Sequence, residues 1–448
     1  MIGKRQSLRV CALTTGLLGL FVVGAAFAPT IAVNSLADPG APGICTLRDA
    51  ITAANTMTAT NGCAAGSGND TINFSPRMTG TISLVSTLPE VTDSLVTING
   101  PASRNITIVG NLPIGGGMKV AAGATLNLNN LSVAHGFLDP LIEVAAGATL
   151  NLNNVSIADG FAGLGAGINN AGTLTVTNSS FSNNGGDVGA GIFNDVGATA
   201  TLTNSTLSGN GGVHGPRAIY NDGTLSVTNS TFFGNGSGHA VGGIDNFAVL
   251  TVTNSTFSGN TGGGIHNSGC ASLKSTILAN NMAAPSAIGP HSVNCGGAIT
   301  DAGYNISDDS TCGFAKTGSA NNGDGVDPLL SPVGLADNGG QTETIALQSG
   351  SPAIDAIPAA DCTDQASPPN PITADQRGFP RPNAGEQVCD IGAYEFQDFA
   401  GQPGARSCHT TSVAALTEQF GSLDAAASAL RFSSGNALQS AIVAFCKG

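Results

Sequence analysis

Tryptophan is absent from these 448 residues, and tyrosine occurs three times. A four-stranded propeller blade runs about 40 residues and carries a Trp-Asp signature, so that architecture is excluded. Charge is sparse too. Only 10% of residues are Asp, Glu, Lys or Arg, with a balance of −14. Nothing here offers the basic patch that nucleic acid or an anionic membrane surface requires. Low charge beside 41% apolar residues is also unlike a disordered chain. There is no GxSxG, HExxH, phosphate loop or CxxC, and no histidine cluster for a metal or cofactor. Beyond residue 32, no apolar run approaches the roughly 20 residues of a membrane-spanning helix.

Glycine is abundant, with 63 copies, and the chain repeats itself. Residues 123–136 read GATLNLNNLSVAHG, and residues 147–160 read GATLNLNNVSIADG. The phrase drifts but continues as TLTVTNSSFSNN from Thr173, TLTNSTLSGN from Thr201, TLSVTNSTFFGN from Thr224 and LTVTNSTFSGN from Leu250. Its closing Asn falls at 154, 178, 204, 229 and 254, steps of 24, 26, 25 and 25. A second phrase precedes it: GAGINN, GAGIFND, RAIYND, GGIDNF and GGIHN.

Apolar residues alternate within each phrase, as in Leu174 and Val176 or Leu225 and Val227, so each is a strand with one buried face. Self-similarity at this period, without helical spacing, predicts one coil of a parallel β-helix. One coil cannot bury its own apolar side chains, so neighbours do it for each other. Expected inward columns are Leu174, Leu202, Leu225 and Leu250; Ile168, Ile192, Ile219, Ile244 and Ile265; and Phe181, Leu207, Phe232 and Phe257. Asn178, Asn204, Asn229 and Asn254 are expected to form an amide ladder in a tight turn. That turn also makes the Asn-Ser-Thr phrases ladder residues rather than glycosylation sites.

The chain divides by composition. Residues 1–32 read as a secretory signal: Lys4, Arg5 and Arg9, an apolar stretch over 10–27, and a cleavage site after Ala28 or, because Pro29 hinders the first, Ala32. A membrane anchor is the alternative, but Thr14, Thr15 and glycines interrupt the run. Residues 33–74 form an N-terminal cap, in which Thr46 and Asp49 make a near capping box for a short helix. Residues 75–290 carry the repeats, residues 291–398 finish the wall, and residues 405–448 form a small module of short helices. The expected fold is thus all-β: a right-handed parallel β-helix with an N-terminal capping helix and a C-terminal α-helical module.

Nine cysteines follow the signal, which itself holds Cys11. In an exported chain local spacing pairs Cys45 with Cys63, Cys295 with Cys312, Cys362 with Cys389, and Cys408 with Cys446. Cys270 is left as a buried free thiol, with intermolecular pairing as the alternative.

Three stretches resemble known families. CTLRDAITAAN over residues 45–55 looks like the CSLREA motif of exported bacterial β-helix proteins, with Thr for Ser and Asp for Glu. The Gly-Gly-x-Ile and Phe-x-x-Asn phrases are similar to repeats of chlamydial polymorphic outer-membrane proteins, whose autotransporter barrel this chain lacks. Residues 294–314, 327–355, 375–378 and 389–395 resemble the choice-of-anchor Q domain. The resemblance implies a surface or secreted β-helix protein and no chemistry.

Because pectin-degrading enzymes share the β-helix fold, carboxylates stacked on one face must be weighed. The residue after each inward Ile gives a row Asn169, Phe193, Tyr220, Asp245 and His266. Asp195 and Asp222 come two places further along, with Arg217 nearby. This is the best catalytic constellation in the chain; the plainer reading is a solvated edge with water-facing carboxylates. Asp324 and Asp327 offer a weak Ca²⁺ site without the EF-hand order, and an Asx turn explains them as well. The sequence therefore points to a secreted or cell-surface, non-catalytic, monomeric adhesin-like protein that contacts glycans or envelope surfaces. A polysaccharide lyase or glycoside hydrolase is the runner-up.

Overall fold

The computed structural model describes residues 30–103, 105–110, 115–212, 217–236, 242–283, 294–318, 321–383, 387–396, 406–429, 432 and 434–447. Alternation of apolar and polar residues builds three long parallel sheets, wound as a right-handed β-helix, beside a short parallel sheet of three strands, Phe137–Leu138, Phe161–Leu164 and Gly185–Val188. The first sheet has eleven strands, from Thr30–Val33 and Asn69–Phe74 through Thr173–Thr177 to Thr300–Asp301. The second has eight, from Met118–Val120 to Cys295–Gly296, and the third eleven, from Gly80–Ser83 to Gly323–Asp324. From Met118 on, each coil visits the second sheet, then the first, then the third. Every strand pairs with its equivalent one coil away, so like residues stack.

The register gives the inward columns. Ile168, Ile192, Ile219, Ile244 and Ile265 lie in one row. Phe181, Leu207, Phe232 and Phe257 lie in another, and the last two rings stack 4.4 Å apart. The expected leucine column needs one correction. Ala200, not Leu202, sits between Leu174 and Leu225, and Leu202 joins Val176 and Val227. A slip of two residues keeps every side chain on its face, so alternation alone cannot detect it.

The amide ladder is also in a different place. Asn178, Asn204, Asn229 and Asn254 do stack, each backbone left-handed with φ between 46° and 53°. Asn tolerates that conformation with little strain. Their side chains do not form a continuous chain: Asn229 reaches Asn204 at 3.3 Å, while Asn178 turns to Asn153. Two other rows form the buried ladders. Asn170, Asn194, Asn221 and Asn246 each donate Nδ2 to the Oδ1 of the next coil's Asn at 2.6–2.8 Å, ending on Asn267. Asn184, Asn210, Asn235, Asn260 and Asn281 do the same at 2.8–3.0 Å, ending on Asn294. Asn294 then donates to Ser307 Oγ and to Asp308 Oδ1. In this second ladder each Nδ2 also donates to a backbone carbonyl, for example Asn210 to Phe181. The buried amides are thereby satisfied, which burial demands.

At the N-terminal end, helix α1 (Leu47–Thr56) packs on the first two strands. Thr46 caps it, its hydroxyl accepting from Asp49 N and donating to Asp49 Oδ2. The Cys45–Cys63 disulfide ties the helix down. Strand Thr30–Val33 pairs in parallel with Thr71–Phe74 and buries Ile31 and Val33 completely. Cleavage after Ala32 would cut inside this strand, so that expected processing point does not fit the fold. Residues 1–29, with the basic and apolar parts of the expected signal, lie outside the described residues.

At the other end the chain doubles back. Residues 342–383 and 387–396 lie along the corner between the first and third sheets. Gln376 accepts from Thr231 Oγ1 at 2.6 Å and donates to Thr206 Oγ1 at 2.8 Å. Asn229 donates to Ala374 O, Gly392 to Ser275 O, and Lys274 Nζ to Thr363 Oγ1. Behind these contacts Arg377 and Arg381 are fully buried, paired with Asp375 at 2.6 Å and with Glu395 at 2.8 Å. The Arg377 guanidinium also lies 3.7 Å from the centre of the Tyr394 ring. Burial and the neighbouring Glu395 push the Asp390 carboxyl well above its ordinary range. The stretches around residues 375–378 and 389–395 thus form an internally neutralised strap.

Three helices follow: α2 (Cys408–Phe420), α3 (Leu423–Ala429) and α4 (Gly435–Lys447). Gly421 ends α2 in a left-handed turn, φ 83°, and Ser422 Oγ caps α3 by accepting from Ala425 N. Ala426, Ala427, Leu438 and Ile442 are their shared core, and Phe445 packs on Phe396 of the strap. The bridges Cys295–Cys312, Cys362–Cys389 and Cys408–Cys446 are formed. Cys270 is not free: it is disulfide-bonded, to a partner outside the described residues. It pairs in register with the exposed Val249, so its side chain points outward, not into the wall as expected.

Candidate functional site

The outward row of the second sheet reads Lys119, Glu143, Asn169, Phe193, Tyr220, Asp245, His266 and Gly296, one residue per coil. Each follows or stands beside an inward residue, so the pleat turns it out. Neighbours lie one strand spacing apart, about 4.8 Å, which lets side chains interact along the row. Lys119 and Glu143 form an ion pair of 2.8 Å. The rings of Phe193 and Tyr220 stack 5.2 Å apart, and Phe247 adds a third ring 5.0 Å from Tyr220.

Above the rings lies the charged cluster. Asp245 Oδ1 meets His266 Nδ1 at 2.8 Å, and Asp245 Oδ2 is ion-paired with Arg217 Nε. The Arg217 guanidinium lies 5.3 Å from the centre of the Tyr220 ring. His266 lies over Gly296, where a Cβ would come within 2.7 Å of its Cδ2. The hydrogen bond to Asp245 raises the His266 imidazole above its ordinary range, against the opposing effect of burial. Burial, and then the nearby Asp222 charge, raise the Tyr220 phenol.

Arg217, Asp245 and His266 therefore come together as the spacing suggests. Two expectations change. Asp245 does not face water: it is 1% exposed, because Arg217, Tyr220 and His266 close over it. Nor do Asp195, Asp222 and Asp245 form one column. The backbone N–H groups of Asp195, Asp222 and Phe247 occupy equivalent positions, so Phe247 continues the row of the two carboxylates. Asp195 Oδ1 accepts from Val196 N as a turn residue does. Asp324 Oδ2 accepts from Gly313 N, and Asp327 Oδ1 from Leu329 N, both as loop caps. Burial raises the Asp324 carboxyl. Among the described residues no three His, Cys, Asp or Glu side chains converge as a metal site needs.

Glycosidic cleavage by a carboxylate pair needs two carboxyl groups free to act across one bond. The buried carboxylate here has both oxygens committed, one to Arg217 and one to His266. The other outward surface is chemically plainer. On the first sheet Thr125, Thr149, Thr173, Thr199, Thr224 and Val249 form one outward row. Asn127, Asn151, Thr175, Thr201, Ser226 and Thr251 form the next. This is an uncharged grid of hydroxyls and amides.

A family model described as a right handed beta helix region matches residues 120–282. No curated protein matches the chain.

Proposed function

We propose that this is an exported, non-catalytic β-helix protein that contacts extracellular or envelope glycans. The observation that carries the reading is the Thr, Ser and Asn grid on the first sheet. Hydroxyls and amides at the regular strand spacing match the hydrogen-bonding groups of uncharged sugars, and nothing in the two rows carries a charge. Export is supported by the disulfides, which persist in oxidising compartments. No helix among the described residues is long and apolar enough to cross a membrane. Processing that spares strand Thr30–Val33, such as after Ala28, agrees with its burial.

The competing reading is an acidic-polysaccharide enzyme built on Arg217, Asp245 and His266. A chain beginning at Thr30 is screened on a glycan array and, in parallel, incubated with polygalacturonate. Binding to neutral glycans without cleavage is expected. Release of uronate fragments by wild type but not by Asp245→Asn would replace the binding reading with the enzyme.

A further inference from the structure

Where the helical module meets the end of the solenoid there is a half-open cavity of about 690 Å³. One wall is the antiparallel pair Leu330–Ala336 and Thr344–Leu347, and the other is α4. Its size is that of sites that enclose a small ligand. Phe396, Phe445 and Leu347 form its apolar floor, with Val333, 75% exposed, at the rim. Asn436 and Gln439 stand one helical turn apart on α4 and face it, with Gln348 on the opposite wall. Gln348 Nε2 is engaged with Leu330 O at 2.7 Å. Among the described lining residues none is Asp, Glu, Lys, Arg or His. Tyr394, the titratable group among the described lining residues, has the Arg377 guanidinium over its ring.

We propose that this cavity binds a short uncharged oligosaccharide. A charged ligand finds no counter-charge there, and burying it unpaired would be costly. A wholly apolar ligand would strand the amides of Asn436 and Gln439 away from water. A neutral sugar has both an apolar ring face for the aromatic floor and hydroxyls for the amides. The proposal rests on the glycan-binding reading and gives it a second site, distinct from the grid.

The test uses isothermal titration of the chain from Thr30 to Gly448. Probes are cellotriose and chitotriose, with trigalacturonate as the charged control and decanoate as the apolar one. Wild type should bind a neutral trisaccharide and neither control. Gln439→Ala should weaken binding roughly tenfold, about the worth of one hydrogen bond. Ser440→Trp, which fills the cavity from its exposed rim, should abolish it. The melting temperature of each variant, measured beside wild type, confirms folding. Unchanged binding in both folded variants but loss in Thr201→Lys would overturn the cavity and leave the grid. Binding of decanoate instead of sugars would overturn the cavity. Failure of wild type to bind any glycan on the array would overturn both readings.

Discussion

Asn221 is in the middle of the first buried ladder, donating to Asn246 and accepting from Asn194. Truncation to Ala strands a buried donor on one side and a buried acceptor on the other. Asn221→Ala should cost about 2–4 kcal/mol in denaturant unfolding, whereas Thr201→Ala on the open grid should stay within about 0.5 kcal/mol. Asp245 behaves similarly. Asp245→Asn leaves the largely buried Arg217 without its counter-charge and should cost about 2–3 kcal/mol, while Asp195→Asn and Asp222→Asn should each change stability by less than about 0.5 kcal/mol. His266 reports on the same pair by NMR titration. With its folded-state pKa raised, the imidazolium's contribution is fully present below about pH 6.5 and fades as pH climbs through the raised value. Asp245→Asn should move the His266 titration back toward the ordinary range; an unmoved titration would show that the carboxylate is not its cause. Spacing put Asp245 and His266 on one row. It placed Arg217 nearby, but the ion pair of Arg217 with Asp245 depends on where the register places the start of the strand at Ile219.

At the scale of elements, strands such as Thr173–Thr177 were readable because their apolar positions alternate without exception. The misplaced Leu202 marks the limit of that reading, since a two-residue slip is silent in a period of two. The ladders show another limit. Both rows of buried Asn were present in the repeated phrases, at the ends of GINN, IFN and IYN and of SNN, SGN and FGN. The turn Asn drew attention instead, because every phrase closes on it. The edge strand Thr30–Val33 went unread because its apolar residues merge with the stretch before it. This element makes a direct prediction. A chain started at Thr30 should melt cooperatively, while one started at Asn34 loses the burial of Ile31 and Val33 and should be several kcal/mol less stable, at roughly 1.5–3 kcal/mol per buried side chain. Mass spectrometry of protein recovered from outside the producing cells tests the proposed processing after Ala28 independently.

For the whole molecule, the strap divides the rod into two halves of unlike tolerance. Its contacts begin at Asn204 and Thr206 and run to Ser275. Below them, coils touch only their neighbours. Duplicating residues 149–172, one 24-residue step, should lengthen the rod by about 4.8 Å and leave cooperative thermal unfolding intact. Duplicating residues 224–248 should not be tolerated, because the strap could no longer reach Thr206 and Thr231 through Gln376 and Ser275 through Gly392 at once. Circular dichroism melts of the two insertions decide it. That strap was visible in the sequence only as a run of motif residues, with no periodicity to say where it lies.

The second ladder also has a direction. Every side-chain amide in it donates toward the C-terminal end, from Asn184 through Asn281 to Asn294, and backbone partners fix each amide in that sense. Such a row adds its bond dipoles instead of cancelling them, with the positive end at Asn294. The carboxylate of Asp308 receives that end, at 2.6 Å from Asn294 Nδ2. This ladder is thus electrically polar along the rod axis, and Asp308 is its counter-electrode: no coil can be added beyond it without a new anion to close the circuit.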